Sequence, residues 1–438
     1  METDKTTLTD LAIFNYEEEY SVFNKLNFTR TSNGKEALKK MFATPLTSID
    51  SITGIQQTIQ TIYNNLDAWP MRITNGSILM VERFYETLVD PIPKQATSFT
   101  AYGYKLLHGP DFSLIKFSIT HCVDFIKGMK LMVETFLTDD IAIPLAKLLQ
   151  RAAVILKNEN LRMAYDHETA AQFSMHQFLS FAHFIKYNFR NAMIELIGIY
   201  AMLDAWYSMA ISVKNFSLVF PVFIAEEKPF IHATGLYHLM LPQPVAYDIE
   251  LSQKSNFLFL TGANMAGKST FIKSIGTAVF LAHLGMGVPT KHMRLTVFDG
   301  LLSNINVVDN IARGESYFFN EVQRIKATIQ KINDGRHWLI LIDELFKGTN
   351  VQDAMKCSST VIEGLLKVNR SVFILSTHLY EIGEALRPYP NIQFNYFETA
   401  VDDGQLVFNY TLRQGISNDR LGYIILQKEG VVKMLEDL

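Results

Sequence analysis

From Asp10 to about Val213 apolar residues recur three and four positions apart, as in HQFLSFAHFIKYNF and IPLAKLLQRAAVIL, with few strand-like alternations. That spacing gathers apolar side chains on one face of a helix, so the first half of the chain predicts an all-α domain. The stretches TSNGKE, HGPDF and FLTDDIAIP carry turn residues that would divide it into several helices. Between residues 216 and 249 the pattern changes to short apolar pieces with Pro221, Pro229, Pro242 and Pro244, which reads as a connector plus edge strands. Beyond it stand NFLFLTG, HWLILIDE and SVFILSTH, apolar runs of strand length that each end in polar residues. Continuous apolar runs suit strands buried on both faces, so the second half predicts a mostly parallel sheet covered by helices. The boundary falls near Ile224, with a helical domain over residues 1–224 and an α/β domain over residues 225–438.

Length supports more than one core, since 438 residues exceed an ordinary single domain, and 48% hydrophobic with 19% charged residues describes a folded protein. Cys122 and Cys357 are the only cysteines, which excludes a disulfide framework or a Cys-based zinc site and fits a reducing compartment. Residues 1–10 are polar and acidic, unlike a secretory signal, so the expected location is cytoplasmic. The most apolar long segment, residues 192–213, contains Glu195 and Asp204, which points to a buried helix and not to a membrane span. With 40 Lys and Arg against 44 Asp and Glu the net charge is −4, so any nucleic-acid binding would rest on a local basic patch.

The candidate chemistry sits at the ends of the expected strands. In FLFLTGANMAGKSTFIKSIG, Gly262 and Gly267 allow backbone N–H groups to turn around a phosphate, with the positive N-terminus of a helix behind them. Lys268 would reach the β- and γ-phosphates of ATP, Ser269 would ligate Mg²⁺, and Thr270 would bond the α-phosphate. In LILIDEL, Asp343 is the expected Mg²⁺ ligand and Glu344 the general base that polarises the attacking water. The alternative for this pair is two solvated carboxylates at a strand end. In FILSTHLYE, His378 follows Thr377 at the next strand end, where it would donate to the γ-phosphate or to the water. In DNIARGESYFFNEVQRI, Gly314, Glu315 and Ser316 open an amphipathic helix. The chain already has a phosphate loop, so this second phosphate-facing helix start would serve a nucleotide held by another copy; the alternative is an ordinary N-cap. His167, His176 and His183 lack a ligand pair at a spacing of three or four, which favours structural roles over a metal site. The segments KEALKK and KHMR read as solvated charge.

Together these motifs resemble the MutS proteins of DNA mismatch repair, members of the wider ABC-type ATPases. TGANMAGKST is similar to the family's TGPNMGGKST, DNIARGES to DDLARGxS, LIDELFKGTNVQDA to LIDELGRGTSxxDG, and STHLYEI to ATHYxEL. Ala263 and Ala266 depart from the first pattern. The resemblance implies that Asn264 belongs to the nucleotide site, that Ser316 is offered in trans, and that Asp353 lies in a loop meeting the partner subunit. It extends upstream, where TSNGKEALKKMFATPLTSIDSITGIQQTI is similar to the start of the family's helical core, and AMLDAWYSMA with HATGLYHLML to its end.

The departures from the family are as informative. Pro244 stands where the family stacks an aromatic residue on adenine, and only about thirty residues precede the helical core, where mismatch-recognising members carry a domain with a Phe-x-Glu wedge. Phe84, Tyr85 and Glu86 repeat that triplet within ILMVERFYETLVD, a helical pattern that reads as core packing. The expected protein is a short MutS-like ATPase: a helical core or lever domain, then an ABC-type P-loop domain, dimeric through its ATPase domains. ATP and Mg²⁺ would be its cofactors and DNA its partner, bound by backbone or shape, with ATP turnover coupled to lever movement in mismatch repair or recombination. The alternative is an ATP-gated protein-binding scaffold that does not touch DNA.

Overall fold

A computed structural model describes residues 1–306, 317–402, 405–417 and 431–436. The chain divides into two compact units, one of Leu26–Ala43 with Thr53–Asn215 and one of Met1–Lys25, Thr44–Ile52 and Phe216–Leu438.

The first unit is helical. Its longest helices are Gly109–Phe136 and Arg190–Phe216, joined by shorter ones such as Asn75–Glu86, Ile143–Leu156 and Met175–His183. Helix Gly109–Phe136 buries Ile115, Ile119, Cys122, Ile126 and Met129, the three- and four-residue spacing expected of a core face. Arg190–Phe216 is the one described helix long and apolar enough to cross a membrane, and most of it is buried inside the protein. Asp204 lies within it at 0% exposure. Its carboxylate accepts the N–H groups of Arg30 and Thr31 at 2.9 Å and the Thr31 hydroxyl at 2.7 Å. Burial raises the Asp204 pKa, and these donors oppose the rise.

These contacts fix how TSNGKE divides the helices: it follows the non-helical residues 26–31 and opens helix Ser32–Ala43. The Thr31 hydroxyl accepts the Gly34 N–H at 3.0 Å, and a Cβ on Gly34 would fall 2.1 Å from the Asp204 carboxylate. Glycine is there to admit a buried carboxylate. Phe84, 1% exposed on helix Asn75–Glu86, packs in the core as its periodicity implied.

The second unit is built on a seven-stranded sheet among the described residues. Its order is β1 (Glu2–Thr3), β7 (Gly300–Asn304), β8 (Trp338–Asp343), β9 (Ser371–Ser376), β5 (Phe257–Thr261), β10 (Ile392–Asp402) and β11 (Gln405–Gln414). All neighbours run parallel except β10 and β11. The central strands are buried on both faces. Phe257, Phe259, Ile340, Ile342, Phe373 and Leu375 share a core with Ile325, Ile362 and Ile382 of the helices that follow the strands. On the other face Leu341 comes so close to helix Lys268–Ala282 that a Cβ on Gly276 would lie 2.5 Å from it.

The division expected at residue 224 therefore differs from the structure, because residues 1–25 and 44–52 belong with the sheet. Strand β1 is two residues long, too short for a periodic signal, and its neighbours are joined to β7 by single side chains. Thr7 accepts the Ser303 N–H at 2.9 Å, and the buried Asp10 accepts the N–H groups of Ile305 and Asn306 at 3.0 and 3.1 Å. The proline-rich connector also forms more than edge strands. It supplies β2 (Val222–Phe223), β3 (Ile231–Leu236) and β4 (Tyr247–Leu251), which with β6 (His292–Leu295) make a separate four-stranded sheet in the order β2-β6-β3-β4.

His283 fastens the stretch near Leu46 to this unit. Its Nδ1 lies 2.9 Å from the Leu46 carbonyl and its Nε2 accepts the Phe298 N–H at 3.2 Å, so the neutral ring with the proton on Nδ1 satisfies both. Burial pushes its pKa from 6.5 down to about 4. Between those values the unfolded chain binds a proton that the folded one does not, so this group's contribution to stability falls as pH drops through the window, by about 3 kcal/mol in all. Urea unfolding at pH 7 and pH 4.5 should show this loss in the wild type and a smaller one in His283→Asn.

Candidate functional site

Parallel pairing sets Leu260 beside Ser376 and Ser376 beside Asp343, so the loops after β5, β8 and β9 leave one edge of the sheet side by side. After β5 the chain turns through left-handed backbone at Gly262 (φ +141°), Met265 (+68°) and Gly267 (+107°). Two of these positions need glycine. A Cβ on Gly262 would sit 3.2 Å from the Phe397 carbonyl oxygen, and one on Gly267 would sit 3.2 Å from the Tyr410 ring. Helix Lys268–Ala282 follows without a side-chain cap, which leaves its first N–H groups aimed at the loop.

Lys268 is 5% exposed and folds back into the curve of the loop, donating to the carbonyls of Gly262 and Ala263 at 2.8 and 2.9 Å. Burial lowers its pKa, while Glu344 and Asp343 pull it up. Asp343, buried at the end of β8, accepts the hydroxyls of Ser269 and Ser376. A hydroxyl and a carboxylate meeting at one point are hard oxygen donors, and that donor set fits Mg²⁺.

Glu344 stands next in a left-handed conformation, φ +61°, with its N–H donated to the Ser376 carbonyl at 2.9 Å. Its carboxylate lies 3.8 Å from Nδ1 of His378 and 3.2 Å from Nζ of Lys347. His378 first and then Lys347 hold its pKa down to about 2 against the opposing effect of burial, so Glu344 is ionised. Thr377 is fixed by its N–H to the Leu260 carbonyl at 2.9 Å, and its hydroxyl accepts the Leu379 N–H at 3.0 Å.

These groups open on a cavity of about 530 Å³. Its lining includes Asn264, Gly267, Lys268, Ser269, Thr270 and Glu344, together with the apolar and aromatic Leu241, Val245, Tyr247 and Tyr410. This pocket, lined by both charged and apolar side chains, has the size and mixed chemistry of a nucleotide-sized site. Asp343 meets the site through Ser269, and His378 through Glu344. Sequence reading missed Leu241, Val245, His238 and Tyr410. Gln243 and Val245 border the cavity on either side of Pro244 in the chain, so the segment itself was found but not the residues that face inward. Tyr410 comes from β11, and no local pattern links it to the loop that it covers.

Other expected residues lie elsewhere. Ser316, with Gly314 and Glu315, is outside the described residues. Asp353 is in the first turn of helix Val351–Leu365, where its N–H is donated to Asn350, the N-cap residue. In the helical unit Nδ1 of His183 is 2.8 Å from the Ile92 carbonyl and Nδ1 of His167 is 3.0 Å from the Met163 carbonyl. No cluster of three potential metal ligands occurs among the described residues.

Residues 258–435 match the family model described as MutS domain V. The DNA mismatch repair protein MutS of Ehrlichia chaffeensis is 30% identical over 251 residues, covering 56% of this chain and 30% of that protein. The protein of the same name from Anaplasma phagocytophilum is 32% identical over 189 residues, 43% of this chain and 23% of the relative. The DNA mismatch repair protein MSH3 of Vanderwaltozyma polyspora is 27% identical over 271 residues, 60% and 26% of the two chains. The chain thus spans less than a third of the length of each of these relatives.

The loop geometry predicts two opposite outcomes for the same substitution. Gly262→Ala forces a Cβ into a left-handed position against the Phe397 backbone and should destabilise the protein by about 1–3 kcal/mol. Gly364→Ala, near the end of helix Val351–Leu365 with nothing within 4 Å, should be neutral or stabilising by about 0.5–1 kcal/mol. Thermal or urea unfolding of the two variants measures both.

Proposed function

We propose that this chain, which belongs to the MutS family, is an ATPase that binds DNA in a repair- or recombination-related role and couples ATP turnover to a change in its helical unit. The observation that carries the proposal is the meeting of a buried lysine, a serine–aspartate oxygen pair and an ionised glutamate at one sheet edge, around one cavity. The ATP triphosphate would lie along loop 262–267 and the helix N-terminus, with Lys268 on the β- and γ-phosphates and Thr270 near the α-phosphate. Ser269 and Asp343 are the residues that would hold Mg²⁺, which when bound neutralises charge on the phosphate oxygens. The base would rest among Leu241, Val245 and Tyr410, so that an aromatic surface comes from β11 in place of the upstream position held by Pro244.

Hydrolysis needs a water held in line with the γ-phosphate. Glu344 faces the cavity as a carboxylate and would accept a hydrogen bond from that water, orienting its oxygen toward phosphorus. The bond from the γ-phosphorus to the bridging oxygen breaks, ADP leaves with the electron pair, and the water's proton passes by way of Glu344 to the phosphate product. With a pKa of about 2 Glu344 is a weak proton acceptor while His378 and Lys347 both attend it, so its first role is orientation. His378, 3.8 Å away, fixes the carboxylate and would report the state of the γ-phosphate. The protein would act in the cytoplasm as a homodimer, with Ser316 of one copy completing the ATP site of the other.

Glu344→Gln should keep ATP binding and lower kcat by about 10²-fold or more, whereas Lys268→Ala should also weaken ATP binding by about tenfold or more. Steady-state hydrolysis with fluorescent-nucleotide binding separates the two, and wild-type turnover by Glu344→Gln would refute the assignment.

DNA binding has its own test. Affinity for branched and plain duplexes, read by fluorescence anisotropy with and without ATP, should fall about tenfold or more between roughly 50 and 200 mM salt. Because Phe84 is buried, a single mismatch should gain less than about tenfold, or 1.4 kcal/mol, over matched duplex. No salt-dependent binding to any duplex would turn the reading toward the protein-binding scaffold.

A further inference from the structure

Helix Tyr317–Ile332 buries a stripe formed by Glu321, Ile325, Thr328 and Ile332, and one member of the stripe is charged. Glu321 is 5% exposed. A carboxylate so placed needs donors, and it takes two from the backbone of another loop. The Lys347 N–H is donated to Oε1 at 3.1 Å and the Gly348 N–H to Oε2 at 3.2 Å. That loop begins at Glu344. Its backbone is left-handed at Glu344 (φ +61°) and again at Phe346 (+59°), a conformation that a side chain with a Cβ adopts only when its surroundings enforce it. Phe346 is packed on Phe318 of the same helix, with ring centroids 5.7 Å apart, and Lys347 returns its ammonium to Glu344 at 3.2 Å.

We infer that Glu321 is a positioning residue for hydrolysis within its own subunit. By holding the amides of residues 347 and 348 with both carboxylate oxygens, it sets the double turn that aims Glu344 into the cavity and keeps Lys347 beside it. The inference rests on the reading of Glu344 as the residue that orients water. It assigns to the helix following Ser316 a grip on the hydrolytic loop of the same chain.

Glu321→Ala and Glu321→Gln in the full chain test it. The alanine variant should lower kcat by at least about tenfold while the Kd for ATP changes by less than about threefold, because loop 262–267 is not touched. The glutamine variant keeps one acceptor oxygen and should recover part of the rate; it carries the test if the alanine variant does not fold. Mixing subunits supplies a readout that a merely structural role would not move. Glu321→Ala mixed with Ser316→Ala should regain activity, since one composite site then keeps an intact loop and an intact Ser316. Mixed with Lys268→Ala it should stay inactive, because each phosphate loop then sits in a damaged subunit. Wild-type kcat in Glu321→Ala, equal loss of ATP affinity and kcat, or recovery with Lys268→Ala in place of Ser316→Ala would each overturn the inference. Glu344→Gln distinguishes the two levels: if it turns over at the wild-type rate, the hydrolytic reading fails and this inference with it. If it is inactive while Glu321→Ala is unimpaired, the inference alone fails.

Discussion

The carboxylate of Asp343, bonded by the hydroxyls of Ser269 and Ser376, joins three neighbouring segments of the sheet-containing unit. Asp343 ends β8, Ser376 ends β9, and Ser269 stands in the first turn of the helix after β5. A buried carboxylate without partners would be costly, so the strands must keep the register in which both hydroxyls reach it. That same register brings loop 262–267, Glu344 and His378 to one edge. Slipping one strand by a residue would send Asp343 or Ser376 to the opposite face of the sheet and break the site.

The loops at that edge hold backbone shapes that their own residues do not favour. Glu344, Phe346 and Met265 are left-handed without being glycine. Two of them are held from outside, Glu344 by the Ser376 carbonyl and Phe346 by burial against Phe318, and the residues beyond Phe346 are held by Glu321. The arrangement is mechanical, with rigid strands and helices enforcing loop shapes that place charge around a cavity. Toward the β1 edge of the sheet, Asp10, the last residue of helix Lys5–Asp10, does a comparable job for the end of β7, where Arg324 also donates to the carbonyls of Asn306 and Ser303 at 2.7 and 3.1 Å.

In the helical unit buried polar groups again decide detail that apolar packing leaves open. Asp204 caps helix Ser32–Ala43 from within a helix that is otherwise apolar, and Ser208 and Ser212 accept and donate around the carbonyl of Leu26. Lys186 reaches the carbonyl of Thr87 at 2.8 Å and lies over the Phe84 ring, which closes the end of helix Asn75–Glu86. These contacts bury the Phe-x-Glu triplet's aromatic ring as part of the core.

Much of this architecture is carried by local pattern. Apolar spacing of three and four marks the helices, and continuous apolar runs mark β5, β8 and β9, because burial on one stripe or on both faces is written directly into neighbouring residues. The shape of the loop 262–267 was legible for the same reason: Gly262, Gly267, Lys268 and Ser269 lie close together in the chain, and the positive φ at the two glycines follows from their type. What needed the tertiary structure are contacts between residues far apart in the chain. β1 joins β7 across almost three hundred residues, Tyr410 reaches the cavity from β11, and Glu321 grips a loop that begins after the next strand. Each depends on one or two side chains or on a two-residue strand, too little to leave a period in the sequence, and their energy exists only once the sheet has set the distances.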